Sequence, residues 1–310
     1  MPQFEEIVFS LPHAQPLVTI LIPAFDAAAF IADSVECALR QTWSRVEIVV
    51  APDDGYDYRE LRERFPSPRL RIIEPGAERE SGPGPTRNRA IDAARGEFFT
   101  VLDADDLIAP THTERMMRVA IDEGAAIAPT RYSEWNPLRT IRIPPLSEKP
   151  LTLRGYGRLL ASMHPLQHRS LEVGYSSGFA EDVIHDGLVI GRCGSVPVVD
   201  STYYILRRRI GSLCNRGPDA ERAIQRSYDR RIEQIERRPT ELGLQVLDAA
   251  QRRDFAQLFR FRRFVSLRFS ESGADDYNRW TAGKESDLWD RFTSETAALS
   301  ADVACDSTPQ

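Results

Sequence analysis

Apolar residues fall along this chain in two rhythms, and their alternation sketches the architecture of the first hundred residues. Val18 to Ile22 and Val46 to Val50 are continuous, mostly β-branched runs of strand length, whereas Ile31, Val35, Ala38, Leu39 and Thr42 between them recur at helical spacing. Leu70 to Ile73 predicts a further short strand. Ser81-Gly-Pro-Gly-Pro is a loop by composition, followed by a helix over about Thr86 to Ala94 that stops at Gly96, and then by a buried strand over Phe98 to Leu102. Repeated strand, helix, strand implies a mostly parallel sheet with helices on both faces. Ligands bind such sheets beyond the carboxyl ends of the strands.

That edge is acidic. Asp103, Asp105 and Asp106 follow the Phe98 to Leu102 strand, and Asp53 and Asp54 follow Val46 to Val50. Crowded carboxylates repel and rise in pKa unless a positive charge joins them. Hard oxygen ligands suit Mg²⁺ or Mn²⁺, cations that also grip phosphate oxygens, so a diphosphate is the natural client. A plainer role, N-capping of a following helix, is open for the same residues.

The ordered set Val18-Thr-Ile-Leu-Ile-Pro-Ala-Phe-Asp, Leu39-Arg-Gln-Thr-Trp, Glu47-Ile-Val-Val, Asp53-Asp-Gly-Tyr-Asp, Gly82 to Asn88, Ala94-Arg-Gly-Glu and Leu102-Asp-Ala-Asp-Asp resembles the nucleotide-sugar domain of the family-2 inverting glycosyltransferases. The resemblance implies an α/β, GT-A-like fold with a mostly parallel, Rossmann-like sheet. It places Pro23, Phe25, Asp53 and Asp54 at the nucleoside, Asp103 near the ribose and the metal, Asp105 on the metal, and Arg87 near the nucleotide or its phosphates. Asp26 stands where many relatives carry Asn, another short polar turn residue.

Further along, Ser177-Gly-Phe-Ala-Glu-Asp resembles the family's Glu-Asp pair. An inverting transfer needs a carboxylate that takes the acceptor's proton as its oxygen attacks the anomeric carbon; Asp182 is the expected base and Glu181 its orienting partner. The same two residues would also suit the start of a helix through Ile184, Leu188 and Val189. Val196-Pro-Val-Val-Asp-Ser-Thr-Tyr-Tyr and Arg207-Arg-Arg-Ile-Gly-Ser-Leu resemble the strand and basic loop that close the donor site; Arg209 is expected on the diphosphate where relatives often have His. His185, four residues after Glu181, makes no metal site without further ligands. His164 and His168 read as loop polar residues, and Trp135 as either a sugar-stacking or a packing residue.

Composition fits this picture. The 310 residues carry 40 basic and 46 acidic side chains, a formal charge of −6, which excludes general nucleic-acid binding. Cys37, Cys193, Cys214 and Cys305 lack close ligand spacing and suit reduced thiols in a cytoplasm. No basic start with an apolar core and no run of about 20 apolar residues is seen, so neither a signal peptide nor a spanning helix is expected.

The C-terminal third changes character. Ile224, Tyr228, Ile232 and Ile235 form one face of a charged helix over about Asp219 to Arg238, ended by Pro239. A second helix, about Leu247 to Phe269, interleaves Phe255, Phe259, Phe261, Phe264 and Phe269 with Arg252, Arg253, Arg260, Arg262, Arg263 and Arg268. Arg252 to Phe269 suits peripheral contact with the cytoplasmic membrane face, or packing on the catalytic domain or within a homodimer with the arginines wet. The expected layout is a catalytic domain over 1–215 (nucleotide-sugar half 16–110, acceptor and base half 111–215), a helical appendage over 216–299 and a disordered tail over 300–310. The expected activity is metal-dependent, inverting transfer of a sugar from a nucleotide-sugar, UDP-sugar by family resemblance, to a saccharide or lipid-linked acceptor in polysaccharide assembly. A non-catalytic nucleotide-sugar-binding scaffold and a nucleotidyltransferase are the alternatives; the second lacks a basic glycine-rich N-terminal signature.

Overall fold

The computed structural model describes residues 15–76, 80–133, 140–143, 150–207, 218–274, 277–281 and 283–306. In chain order they form β1 (Val18–Ala24), α1 (Ile31–Leu39), β2 (Val46–Pro52), α2 (Glu60–Arg64), β3 (Leu70–Ile72), α3 (Pro83–Ala93), β4 (Phe98–Val101), β5 (Leu107–Ile108), α4 (His112–Glu123), β6 (Ala125–Ala126), β7 (Thr130–Ser133), β8 (Thr140–Ile143), β9 (Leu151–Thr152), α5 (Leu153–Arg158), β10 (Leu166–His168), α6 (Glu181–Cys193), β11 (Ser195–Val196), β12 (Tyr204–Arg207), α7 (Pro218–Arg237), α8 (Ala249–Ser272), α9 (Tyr277–Thr281) and α10 (Glu285–Asp306). The chain divides into two compact units, Met1–Leu151 with Ser162–Arg207, and Thr152–Ala161 with Arg208–Gln310. The stretch 152–161, read from sequence as part of the 111–215 half, therefore belongs with the C-terminal helices.

The first unit is built on a six-stranded sheet of order β3-β2-β1-β4-β10-β6. Its first four strands are parallel, with Val18 level with Val46 and Phe98, and β10 runs antiparallel to both β4 and β6. Period-two alternation splits β1 between two layers. Ile20 and Ile22 face a core shared with Ile31, Val35 and Ala38 of α1 and Met116, Met117 and Ala120 of α4. Leu21 faces the opposite layer with Val49, Phe99, Val101 and Ala90 of α3. Both faces are covered, so the strands read as continuous apolar runs. A second, four-stranded sheet has the order β5-β12-β7-β8.

α3 begins three residues before the expected start at Thr86. Gly82 adopts φ +91°, and Pro83 then occupies the first turn, where its missing N–H costs nothing. A second departure concerns Asp103 to Asp106. They do not cap a helix: β5 intervenes and α4 starts only at His112.

In the second unit, Asp248 and Gln251 form a reciprocal capping box at the start of α8. Its aromatic residues turn inward. Phe255, Leu258, Phe259, Phe261 and Val265 are fully buried, and Phe261 and Val265 cluster with Leu160, Leu288 and Phe292. Arg260 pairs with Glu236, Arg263 with Asp229 at 2.6 Å and Arg268 with Glu271 at 2.8 Å. Of the two readings of Arg252 to Phe269, packing is the one seen here: Phe255, Phe259 and Phe261 are spent on the core and these three arginines are matched by acidic neighbours. No helix among the described residues is long and apolar enough to cross a membrane. α10 continues to Asp306, past the tail expected from Ser300, and the alanines at 297, 298, 301 and 304 favour that continuation.

Candidate functional site

The turn after β4 is held from two sides. Leu102 N donates to Leu21 O, extending the pairing with β1 and setting Asp103 at the carboxyl edge of the sheet. From α1, the Ser34 hydroxyl lies 2.8 Å from the Ala104 and Asp106 carbonyls. From β12, the Tyr204 hydroxyl donates to Asp106 Oδ2 at 2.8 Å and accepts from Asp103 N at 3.1 Å. Arg207 N donates to Asp106 Oδ1 at 2.8 Å, its Nε to Asp105 O, and its Nη1 to Asp33 Oδ2 at 2.8 Å. Asp106 is buried; desolvation, reinforced by Asp103 and Asp105, pushes its carboxyl well above the usual range. Asp103 and Asp105 stay partly exposed.

The start of α3 is docked on the segment that leads into α6. A Cβ on Gly84 would lie 2.1 Å from Ser176 O, so only glycine permits this approach. Asn88 clamps the Tyr175 backbone, donating from Nδ2 to its carbonyl and accepting from its N–H, both at 2.8 Å. This docking brings Arg87, 4 % exposed, between two carboxylates. Its Nη2 donates to Asp103 Oδ1 at 2.8 Å and its Nη1 to Glu181 Oε1 at 2.6 Å, and the guanidinium lies 5.2 Å from the Tyr175 ring centroid. Burial works against ionisation of Asp103, but Arg87 and His164 outweigh it and hold the carboxyl below its ordinary value. Burial and the neighbouring Asp182 push Glu181 up to about 7, with Arg87 opposing.

Glu181 and Asp182 open α6, after Ala180 at φ +55°. Asp182 is partly exposed and its Oδ1 accepts from Val183 N at 2.8 Å. Below them His185 is buried and stacked on Tyr175, with centroids 3.9 Å apart and an interplanar angle of 7°; desolvation lowers its pKa. His164 differs from its reading as a loop polar residue. It is 5 % exposed, its ring lies 4.7 Å from Tyr204, and its Nε2 is 3.6 Å from Asp103 Oδ2. Only the weak signal of a His before a Pro marks it in the sequence.

The other predicted donor residues cluster at the ends of β1 and β2. Phe25 is 51 % exposed, while Pro23 is partly covered. Asp54 closes the turn after β1, accepting from Asp26 N at 2.7 Å and the Tyr58 hydroxyl at 2.8 Å. Asp26 has φ +48°, which Asp and Asn tolerate better than other side chains, so its replacement of Asn is conservative in backbone terms. Asp53 is 3 % exposed, and its carboxylate accepts from the Ser81 hydroxyl at 2.6 Å, Gly82 N at 2.9 Å and Arg89 Nη2 at 3.2 Å. Arg209 and Trp135 lie outside the described residues. Among the described residues no three His, Cys, Asp or Glu side chains gather as a metal-binding group.

The model of the family described as glycosyl transferase family 2 matches residues 19–168, a segment that contains the acidic turn, Arg87 and His164. Over that segment the chain is similar to glycosyl transferase family 2. Among curated relatives, the succinoglycan biosynthesis protein ExoO of Rhizobium meliloti is 30 % identical over 219 residues, covering 64 % of this chain and 62 % of that protein. The putative glycosyltransferase EpsH of Bacillus subtilis is 32 % identical over 116 residues, covering 35 % of this chain and 31 % of that protein. The chain thus spans less than two thirds of the length of these relatives. Among solved structures, S. aureus TarS 1–349 in complex with UDP-GlcNAc superposes with a TM-score of 0.63 at 17 % identity, covering 89 % of this chain and 79 % of that one. The mannosyltransferase PcManGT of Pyrobaculum calidifontis, in complex with GDP-Man and Mn²⁺, gives 0.51 at 15 % identity, covering 93 % and 81 %. At such identities the likeness is one of fold, and that fold is GT-A.

Proposed function

We propose that this chain is an inverting glycosyltransferase that moves a sugar from a nucleotide-sugar to a saccharide or lipid-linked acceptor in polysaccharide assembly. The observation that carries the reading is the Asp103–Arg87–Glu181 bridge, which ties the acidic turn at the sheet edge to the Glu-Asp pair of α6. Folding stability alone does not ask for a guanidinium buried between two carboxylates from distant segments.

In this reading Asp182 takes the proton from the acceptor hydroxyl as its oxygen attacks the anomeric carbon; the bond to the diphosphate breaks and configuration inverts. Glu181, fixed by Arg87, orients the acceptor or Asp182. Phe25 offers an exposed face to the nucleoside, with Pro23 beside it, and Asp53 and Asp54 order the loops at that end. Arg209 is the proposed partner of the diphosphate. Asp103 and Asp105, hard oxygen donors left partly exposed, are the residues that would hold a divalent cation. Bound there, Mn²⁺ or Mg²⁺ would neutralise charge on the departing diphosphate. TarS, with its UDP-GlcNAc, supports a UDP-sugar as donor; ExoO, named for succinoglycan biosynthesis, supports a polysaccharide product.

Asp182→Asn tests the assignment. Donor binding, read as thermal stabilisation by UDP-sugars and GDP-sugars with Mn²⁺, should persist while turnover falls by about 10² or more. Near-normal turnover in Asp182→Asn, or a product of retained configuration by NMR, would overturn the mechanism; stabilisation by GDP-sugars alone would overturn the donor.

A further inference from the structure

The second unit holds a cavity of about 280 Å³ bordered by α5, α8 and α10. The polar groups around it have unspent bonding capacity. Arg154 and Arg158 line it from α5, Asp254 and Gln257 from α8, and Leu258 with Trp289 of α10 supplies apolar wall. Arg158 Nε is buried without a partner, and among the described residues the half-buried Asp254 and Gln257 and the exposed Arg154 make no side-chain hydrogen bond or ion pair. Buried polar groups are normally satisfied. The unpartnered Arg158 Nε, facing a cavity with the open bonding capacity of Asp254 and Gln257 beside it, points to a ligand that satisfies it.

The lining says which kind. Trp289 is held edge-on against Phe261, with centroids 5.0 Å apart, and tilted against Phe292 at 5.7 Å, so its ring is fixed in place. The Arg158 guanidinium sits 5.2 Å from the same ring. An aromatic and apolar wall suits the C–H face of a pyranose, and a mixture of donors with a carboxylate and an amide oxygen suits its hydroxyls. Two guanidinium groups against one carboxylate leave the lining net positive, and guanidinium binds carboxylate in a bidentate fork. The volume is at the small end for ligand sites, enough for one ring.

We propose that this cavity binds one acidic sugar residue, of the uronic-acid class, within a saccharide. The site is separate from the transfer machinery of the first unit, and would let the protein hold an acidic glycan independently of donor binding.

Saturation-transfer NMR on the full chain with glucuronate, glucose and inorganic phosphate reads this directly. Saturable transfer to glucuronate ring protons is expected, with glucose at least tenfold weaker, and phosphate failing to displace glucuronate. Arg158→Gln and, as a second variant, Arg154→Gln should each weaken glucuronate at least tenfold with an unchanged circular-dichroism spectrum. Asp105→Ala should leave it intact, which separates this site from the reading of the first unit. Absence of transfer at millimolar glucuronate, equal binding of glucose, displacement by phosphate, or undiminished binding in both variants would overturn the proposal.

Discussion

Arg87 in the first unit and Arg262 in the second are both nearly enclosed, 4 % and 7 % exposed, yet their charges meet different partners. Arg87 faces two carboxylates, Asp103 and Glu181. Arg262 faces two backbone carbonyls just beyond α5, Leu159 O at 3.0 Å and Ala161 O at 2.8 Å, with the Tyr156 ring 5.8 Å away. Arg262 therefore completes a helix end, work that any well-placed donor can do. Arg87 offsets negative charge gathered in one place, a charge no core requires. Burial of a cation signals function only when the groups it faces are themselves costly to bury.

Removing each arginine should expose that difference. Arg87→Met leaves two carboxylates with an unbalanced charge and should destabilise the protein by about 3–5 kcal/mol, the scale for breaking a buried ion pair from one side. Urea unfolding in an Asp103→Asn and Glu181→Gln background should recover much of that loss, because the charges that needed Arg87 are then gone. Arg262→Met should cost about 1–3 kcal/mol, the penalty for carbonyls left without donors, and the same acidic substitutions should not alter it. Equal losses in all backgrounds would break the distinction.

A smaller effect is expected where the acidic turn meets β12. Tyr204→Phe removes one hydroxyl that serves both Asp106 and Asp103 N, a loss of about 1–2 kcal/mol. If this contact also sets the orientation of Asp105, Mn²⁺ affinity measured by electron paramagnetic resonance should fall with it, whereas Arg262→Met should leave that affinity unchanged. Tyr204→Phe with undiminished Mn²⁺ affinity would confine Tyr204 to a packing role.

The sequence made the parallel strands legible because each is a short β-branched run buried on both faces, and it made the acidic turn legible because three carboxylates in four residues resist a packing explanation. It did not reveal Asp106 as the anchor of that turn, since the separation of Asp106 from Asp103 and Asp105 depends on Tyr204 and Arg207, about a hundred residues away. Arg87 was marked by its motif, but its bridge to Glu181 depends on the close approach that Gly84 allows and on the Asn88 clamp, neither visible as spacing. In α8 the interleaved Arg and Phe suggested a wet basic face; which arginine is buried depends on where α5 ends, and nothing local encodes that. Long-range partners, rather than local propensity, separate the two readings.

The smallest effect distinguishes the two arginines by pH. Glu181 is pushed up to about 7 from an ordinary 4.5, so the folded protein holds this proton more tightly than the unfolded chain does. Its contribution to stability is complete below about 4.5 and is lost as pH rises through 7. Asp106, also raised, acts in the same direction. Asp103, held below its ordinary value, acts oppositely, and its stabilisation is lost only as pH falls into the acid range. Between pH 5 and 7.5 Glu181 and Asp106 thus pull the urea midpoint down as pH rises, while the lowered pKa values of His112, His168 and His185 act the other way; Glu181→Gln, which cannot titrate, should make the slope more positive than that of the unmodified protein. Arg262→Met should shift the midpoint at every pH, because the backbone carbonyls it leaves bare do not titrate. A slope unchanged by Glu181→Gln would mean that Arg87 keeps Glu181 ionised throughout, and the contrast between the two arginines would then rest on charge pairing alone.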